Sequence, residues 1–575
     1  MTPHTLSDAA RLENGRPGAE PVVIGAARAT LEELVQVARH RRPVVVDEAA
    51  LARMKPSEEW LGAVMERMEA GEETAPIYSI NTGFGSLAGR KAFDEPSDAA
   101  ELSRRLVISN ASGVGRYMDE EVVRATMFIR IVSLTQGYSG VRADIVKTLA
   151  DMLNRGVHPA IPEFGSLGAS GDLIPLAHIA IVMSRSHQGE DLELDSGEAF
   201  VDGAVVSGKA AMEHAGLERL PLGAKDGLAL LNGTSFSCAQ AALALYDAQN
   251  LLDTAQVTAA MSIEALMGFG DAFIDELHQA RGQRGQIEVA ARLRELLSGS
   301  GLVDGDAGTD PLRQPPQDAY SLRCIPQVFG PVKDTLDFAT GIIDNEINAA
   351  TDNPLIFPSL PASRTLKAVS GGNFHAEYVA FAADFISIVV TEIGNITERR
   401  LFRLDDGTLN RGLPDMLVAS EQIGMDCGYM LPQYLAAALV SDCKTLAHPD
   451  SVDSIPTCAN QEDHVSMANN AGRHTRQIVA NIETVVAVEL LMAAQALELR
   501  MNLPATAGAK PGPASLAALA FLRATASDDG RPIDHITQDV VLYPRLRKAT
   551  ELVHSGAVVA AVNAAIGAGA EGEGA

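Results

Sequence analysis

The chain lacks most of what nucleic acid, metal or membrane work would need. Its 46 Lys and Arg are outnumbered by 74 Asp and Glu, giving a formal net charge of -28. That balance excludes the basic footprint a nucleic acid or an anionic bilayer requires. Five cysteines, Cys238, Cys324, Cys427, Cys443 and Cys458, form no CxxC pair, which argues against a zinc ribbon or redox dithiol and for reduced, buried thiols. The 13 histidines include no HxxxH or HExxH spacing, so no metal site is expected. Apolar stretches are interrupted, as Val485 to Ala496 is by Glu489 and Gln495, and no unbroken run is long enough to span a bilayer. The first residues lack a basic start followed by an apolar core, so no signal peptide is expected and the cytoplasm is the expected compartment.

What is present is an ordinary globular composition, 46% hydrophobic and 21% charged over 575 residues, enough to bury a large core. Apolar residues recur at helical spacing from Gly372 to Leu404, from about Ser235 to Met267, and from His464 to Asn502, where Pro504 follows. Three helices of this length predict a mainly α bundle. Gly299 to Pro316 reads as a Gly/Pro/Asp-rich loop, and the ends, before about Pro21 and after Ile566, read as disordered.

The most informative residues are Ala169-Ser170-Gly171, within GSLGASGDLIPLAH. If the Gly171 nitrogen attacks the Ala169 carbonyl and two waters leave, an imidazolone ring forms with an exocyclic methylene from Ser170, an electrophile that accepts amines. Glycine at 171 permits the close backbone approach, and Ser170 supplies the eliminable hydroxyl. By itself the tripeptide fits better a tight turn before a helix beginning near Asp172, since small tripeptides of this kind are common. A serine-hydrolase elbow is excluded because Gly171 directly follows Ser170. A phosphate-binding loop at Gly83 to Lys91 is excluded because Arg90 interrupts the Gly-Lys pair.

Further segments decide between these readings: Tyr78-Ser-Ile-Asn-Thr-Gly-Phe-Gly85, Leu231-Asn-Gly-Thr234, Gln317-Asp-Ala-Tyr-Ser-Leu-Arg323, Thr351-Asp-Asn-Pro354, Ser370-Gly-Gly-Asn-Phe-His375 and Asn460-Gln-Glu-Asp-His-Val-Ser-Met467. With the tripeptide, and in this order, they resemble the histidine/phenylalanine/tyrosine ammonia-lyase and aminomutase family from about Pro76 to Arg500. The resemblance implies a self-formed 4-methylideneimidazol-5-one (MIO) group made from Ala169, Ser170 and Gly171, with no external cofactor. It implies a mainly α long-helix bundle with a smaller mixed N-terminal region, and a homotetramer whose active sites draw on three subunits. The corresponding domain expectations are an extension at 1–21, the tyrosine and MIO loop in 22–225, the helix bundle in 226–505 and a C-terminal helical region in 506–575.

By the same resemblance, Tyr78 is the base that removes a substrate β-proton. A phenol titrates near ~10, so that role needs donors or positive charge on the phenolate. Gln317, Tyr320 and Arg323 recur every three positions, so a helical turn would place them along one face. Arg323 offers a planar fork for a carboxylate, and the resemblance sets Tyr320 against the MIO and Gln317 on the substrate. It matches Asn232 to an asparagine bonding substrate and MIO, Asn353 to one supporting the MIO loop, and Phe374 to the aromatic beside the ring.

Substrate choice rests on Ser109-Asn110, just before Ala111-Ser-Gly-Val-Gly115, and on Glu462. The pair at 109–110 differs from the Ser-His, His-Leu and Phe-Leu pairs typical of histidine, tyrosine and phenylalanine lyases, and Ser79 stands where glycine is usual. Glu462 matches a glutamate of the histidine-lyase branch. A carboxylate there accepts an imidazole N–H, whereas against a bare phenyl ring its desolvation would go uncompensated. Thr445 to Thr457 also reads like that branch. The expected activity is an ammonia-lyase acting on L-histidine or a close imidazole amino acid to give a urocanate-type acrylate. The alternatives are a 2,3-aminomutase, a tyrosine or phenylalanine lyase, an ergothioneine-type trimethylamine lyase, or a degenerate scaffold subunit.

Overall fold

A computed structural model describes residues 20–572 apart from 73, 94–97, 188–190, 304–315, 422–423 and 507. The chain divides into two compact units, one of residues 1–243, 340–383 and 449–473, the other of 244–339, 384–448 and 474–575. Helices dominate, and strands occur among the described residues only in small sheets of two or three. All of them precede Pro221 except the pair Leu355–Ile356 and Ala368–Val369. This is the mainly α architecture, with a mixed N-terminal part, that the sequence predicts.

In the first unit, Glu120–Leu134 has no exposed face beyond its first turn, and Val122 through Leu134 are all buried. A helix with no polar face must lie in a core. Its two buried arginines reach backbone carbonyls: Arg124 donates to Val37 and Leu153, and Arg130 to Asn232. The next helix, Ala143–Arg155, buries one stripe, Ile145, Val146, Leu149, Met152 and Leu153, and ends at Gly156 with φ +73°. That left-handed turn is the C-terminal stop glycine supplies without strain.

The long helices run Ser235–Ala265, Glu377–Asp405 and Ala468–Asn502. The last two start four or five residues later than apolar periodicity suggests. The reason is local: Ala376 donates its N–H to the Gly168 carbonyl, and Met467, at φ +56°, donates to that of Leu167. Both segments are therefore committed to the loop carrying Ala169 before their helices begin. By length and composition alone Glu377–Asp405 and Ala468–Asn502 could cross a membrane, as could the bent pair of helices after Tyr543 taken together. Neither is an unbroken apolar run: Asp384 and Glu392 interrupt the first, and Glu483 and Glu489 the second. The most apolar windows of the first two are 67% and 83% buried within the protein, so their apolarity serves the core.

The tail also differs from expectation, because helix Ala557–Gly572 continues past Ile566. The stretch 1–19 and most of the Gly299 to Pro316 loop lie outside the described residues.

Glu489 and Gln495, which interrupt the apolar run in the sequence, are buried and fully used in the second unit. Glu489 accepts from Arg400 Nε and Nη2 at 2.5 and 2.9 Å, from Thr258 Oγ1 at 2.7 Å and from Ser262 Oγ at 2.8 Å. Gln495 donates to the Ile536 carbonyl and accepts from its N–H. Removing one partner of a fully buried ion pair leaves an uncompensated charge, so Arg400→Met should destabilise the protein by about 3–5 kcal/mol. Adding Glu489→Leu should recover most of that loss, as a double-mutant cycle in chemical denaturation would measure. Unchanged stability in Arg400→Met would show that the network contributes nothing.

Candidate active site

The Ala169-Ser170-Gly171 turn is held from three directions, all within the first unit. Behind it, Gly171 pairs with Gly233 in a parallel bridge, and Asp172 N–H donates to the Gly233 carbonyl at 2.8 Å. Gly171 has φ +70°, and a Cβ there would lie 2.2 Å from that carbonyl oxygen. Only glycine allows this approach. On one flank, Gly168, at φ +69°, would place a Cβ 2.1 Å from Ser466 Oγ, and Ser466 donates to its carbonyl. Ala169 packs with Leu167, Val465 and Met467.

Beneath the turn lies Asp172, fully buried. Its Oδ1 accepts from Ser166 Oγ (2.7 Å) and Ser237 Oγ (2.6 Å), and its Oδ2 from the N–H groups of Phe236 (2.9 Å) and Ser237 (2.8 Å). The last two belong to the N-terminal turn of Ser235–Ala265, where orphan N–H groups and the helix dipole favour a carboxylate. Burial pushes the Asp172 pKa up, and these four bonds pull it back. Sequence reasoning used Asp172 only as a helix start, which it is, immediately before Leu173–Met183. Its anchoring role had one visible signal, a carboxylate adjoining three small residues.

In front of the turn, Ser170 Oγ donates to Glu462 Oε1 at 2.9 Å, and Thr457 Oγ1 donates to Oε2 at 2.8 Å. In the structure the tripeptide is three unmodified residues, so this oxygen is the serine hydroxyl. Tyr78 stands nearby: its hydroxyl accepts from Gly85 N–H at 2.9 Å, and its ring meets Phe84 edge-on at 6.4 Å. Burial raises the Tyr78 pKa, the Gly85 bond lowers it, and Glu462 and Cys458 raise it further, with a net upward shift. Cys458, missed in the sequence reading, accepts from Ser86 N–H at 3.2 Å and abuts Gly85.

Asn232 is buried beside Gly233, with an Oδ1 that has no partner, while its backbone carbonyl is held by Arg130. Asn353 Oδ1 accepts from Gly371 N–H at 2.8 Å. That contact ties the Thr351 to Pro354 segment to the stretch carrying the half-buried Phe374, which rejoins the turn through Ala376 and Gly168. The structure thus gathers Tyr78, Ala169, Ser170, Gly171, Asn232 and Glu462, with Asn353 and Phe374 on supporting segments.

Ser109 and Asn110 close the helix Ala99–Asn110. Ser109 Oγ and Asn110 Nδ2 both donate to the Leu106 carbonyl, at 3.1 and 2.8 Å, so the Asn110 amide is turned onto its own helix. Three residues on, Gly113 N–H donates to His178 Nε2 at 3.2 Å. His178 lies on Leu173–Met183 and so links the 109–115 segment to the helix that follows the tripeptide.

Gln317, Tyr320 and Arg323 belong to the second unit. The helical turn there is Tyr320–Arg323, and Gln317 precedes it in a bend, which corrects the single face expected for all three. Tyr320 and Arg323 do share a face: the guanidinium lies 4.8 Å from the ring centroid, and Arg323 Nε donates to the Asp318 carbonyl. Asp318 is fixed in turn by Phe269 N–H and Arg411. Tyr320 is 71% exposed.

The model of the aromatic amino acid lyase family matches residues 29–524. A histidine ammonia-lyase from Gloeobacter violaceus is 43% identical over 547 residues, 95% of this chain and 98% of that relative. Among solved structures, tyrosine aminomutase from Streptomyces globisporus superimposes with a TM-score of 0.84 at 32% identity, covering 95% of this chain and 99% of the other. Histidine ammonia-lyase from Trypanosoma cruzi gives 0.81 at 33% identity, covering 95% of each chain.

Burial lowers the His178 pKa, partly opposed by Glu198. The neutral ring that accepts from Gly113 is therefore the native form. Its contribution is full above about pH 6.5, where the unfolded imidazole is also neutral, and is lost as pH falls through the lower folded value. In His178→Gln a carbonyl can accept at any pH, so melting temperature should fall less on acidification from pH 7.5 to 5 than in the parent. Parallel profiles would show that the bond is not the titrating element.

Proposed function

The chain belongs to the aromatic amino acid lyase family, and from that premise we propose that it is a carbon–nitrogen lyase removing ammonia from L-histidine to give a urocanate-type acrylate. The observation that carries this reading is the Glu462 carboxylate at the front of the turn, whose Oε1 lies 2.9 Å from the Ser170 hydroxyl that ring closure eliminates and so becomes open to another donor. A carboxylate so placed is matched by an imidazole N–H and would be left desolvated by a phenyl ring. The histidine ammonia-lyase relatives, spanning nearly the whole chain, support the same substrate.

We infer that Ala169, Ser170 and Gly171 close to the MIO group. The cradle fits: glycine at 168 and 171 is required by clashes of 2.1 and 2.2 Å, and the orphan Oδ1 of Asn232 lies beside the turn. When formed, the group supplies an electrophile for the substrate amine. The remaining work falls to side chains. Tyr78 Oη takes the β-proton, Glu462 orients the imidazole and Asn232 Oδ1 offers an acceptor, while Arg323, by its place in the family's motif, is assigned the substrate carboxylate, which its planar fork suits. Asn353 and Phe374 support the turn; in the other unit Tyr320 stacks on Arg323, and the family's motif assigns Gln317 to the substrate.

Since Tyr78 is shifted upward within its own unit, the cation that makes it a base comes from elsewhere in a homotetramer with shared sites. The exposed Tyr378, Phe381, Phe385 and Ile388, along one helix, support such an assembly. A cytoplasmic catabolic enzyme follows from this reading.

Purified protein incubated separately with L-histidine, L-phenylalanine, L-tyrosine and ergothioneine, with products separated and weighed by mass spectrometry, tests the assignment. Urocanate from histidine alone is expected; a β-amino acid, another acrylate or trimethylamine would overturn it. Intact mass should be two waters below the sequence mass, and Ser170→Ala should abolish that loss. Tyr78→Phe should keep the lighter mass while lowering kcat by about 100- to 10,000-fold. Asn110→His should leave the preference among the four compounds largely unchanged, because residue 110 is turned onto its helix. A strong shift toward another compound would show that it faces the substrate ring.

A further inference from the structure

His375, Glu377 and His464 form a cluster that the reaction does not use. His375 ends the Ser370 to His375 segment, Glu377 opens the helix Glu377–Asp405, and His464 follows the Thr457–Glu462 bridge, all in the first unit. His375 Nε2 lies 3.3 Å from the His464 carbonyl oxygen. Donating there leaves the neutral ring with its lone pair on Nδ1. That lone pair faces Glu377 Oε2 at 3.8 Å, too far for a hydrogen bond, and Oε2 is buried with no donor. A buried carboxylate oxygen with no donor among the described residues is costly unless a cation reaches it. The His464 ring stacks on His375 at 5.6 Å and 28°, and one ligand atom from each of the three residues falls within 4.8 Å of the others.

We propose that His375, Glu377 and His464 bind a divalent transition ion of the zinc class. Two imidazole nitrogens and one carboxylate oxygen are a borderline donor set, with a fourth position left for water. Bonds of about 2.1 Å in a tetrahedron put ligand atoms about 3.4 Å apart, so an ion would draw together atoms that now lie within 4.8 Å of one another. His464 is exposed and gives the ion a route from solvent. The expectation of no metal site rested on local spacing, whereas these histidines are 89 residues apart. A second cluster, Asp247, Glu483 and His554 in the other unit, differs in kind, because His554 Nδ1 already lies 2.9 Å from Glu483 Oε1. Ion binding would join the segment carrying Phe374 to the one carrying Glu462 and so alter turnover.

The test is equilibrium dialysis of full-length, untagged, chelator-treated protein against ZnCl2, with Co2+ absorption reporting tetrahedral coordination. One Zn2+ per chain with a dissociation constant of about 1–10 μM is expected, a range set by three ligands on a partly open surface. His375→Ala, His464→Ala and Glu377→Gln should each weaken binding by at least the roughly 10-fold that loss of an outer-shell partner costs. His554→Ala should leave it unchanged. Circular dichroism without metal identifies any variant that fails to fold; the near-isosteric Glu377→Gln and His464→Asn then decide. No saturable binding up to about 1 mM, or equal binding by all variants, would overturn the proposal. None of these measurements uses turnover, so their outcome is independent of the assigned reaction.

Discussion

The buried Asp172 carboxylate is the constraint from which the site is built. Removing such a group from water costs several kcal/mol unless it is hydrogen-bonded. Four donors offset that cost, and they come from two places far apart in sequence, Ser166 before the tripeptide and Phe236 and Ser237 at the start of a 31-residue helix. One side chain thereby fixes the turn to the N-terminus of a long, rigid element. The same region holds Gly233 against Gly171, a close approach that leaves no room for a side chain at the turn proposed to close into a ring. Arg130, buried in the central helix, holds the Asn232 carbonyl and carries this order into the core.

The close approach explains which residues tolerate no change. Gly168 and Gly171 share positive φ and sub-van der Waals clearance, but against different neighbours: a side-chain hydroxyl for one, backbone for the other. A hydroxyl can rotate aside; a carbonyl held by Asp172 N–H cannot. Gly171 is therefore the stricter of the two.

Periodicity made the three long helices legible to within about five residues, and the motif order made the family legible, because both signals are local. Helix starts were misjudged where apolar residues such as Val465 and Met467 serve the tripeptide loop instead of the helix that follows. The placement of Gln317 was misjudged because spacing by three implies a helix only if the backbone is helical, and Asp318, tied to Phe269 and Arg411, breaks it. Glu462 was readable as a candidate specificity residue, but its bond to Ser170 joins positions 292 apart and has no local trace. Asp172, His178, Cys458 and Arg130 escaped for the same reason. Each acts through a partner in another segment, and no residue type announces that.

The electrostatics of the first unit carry the last step. The carboxylate suited to an imidazole raises the pKa of the tyrosine proposed as base, and Cys458 adds to it. Of the influences on Tyr78, only the Gly85 N–H favours the phenolate, and none is a cation. The proposed selection of imidazole by a negative charge therefore opposes the proposed deprotonation of Tyr78. Moving Glu462 away would relieve Tyr78 but forfeit the acceptor for the ring. The way out is positive charge delivered on the far side of the tyrosine, close enough to act on its oxygen yet away from the carboxylate. The shared site proposed above would supply that charge from a second subunit, which would make assembly a condition of catalysis.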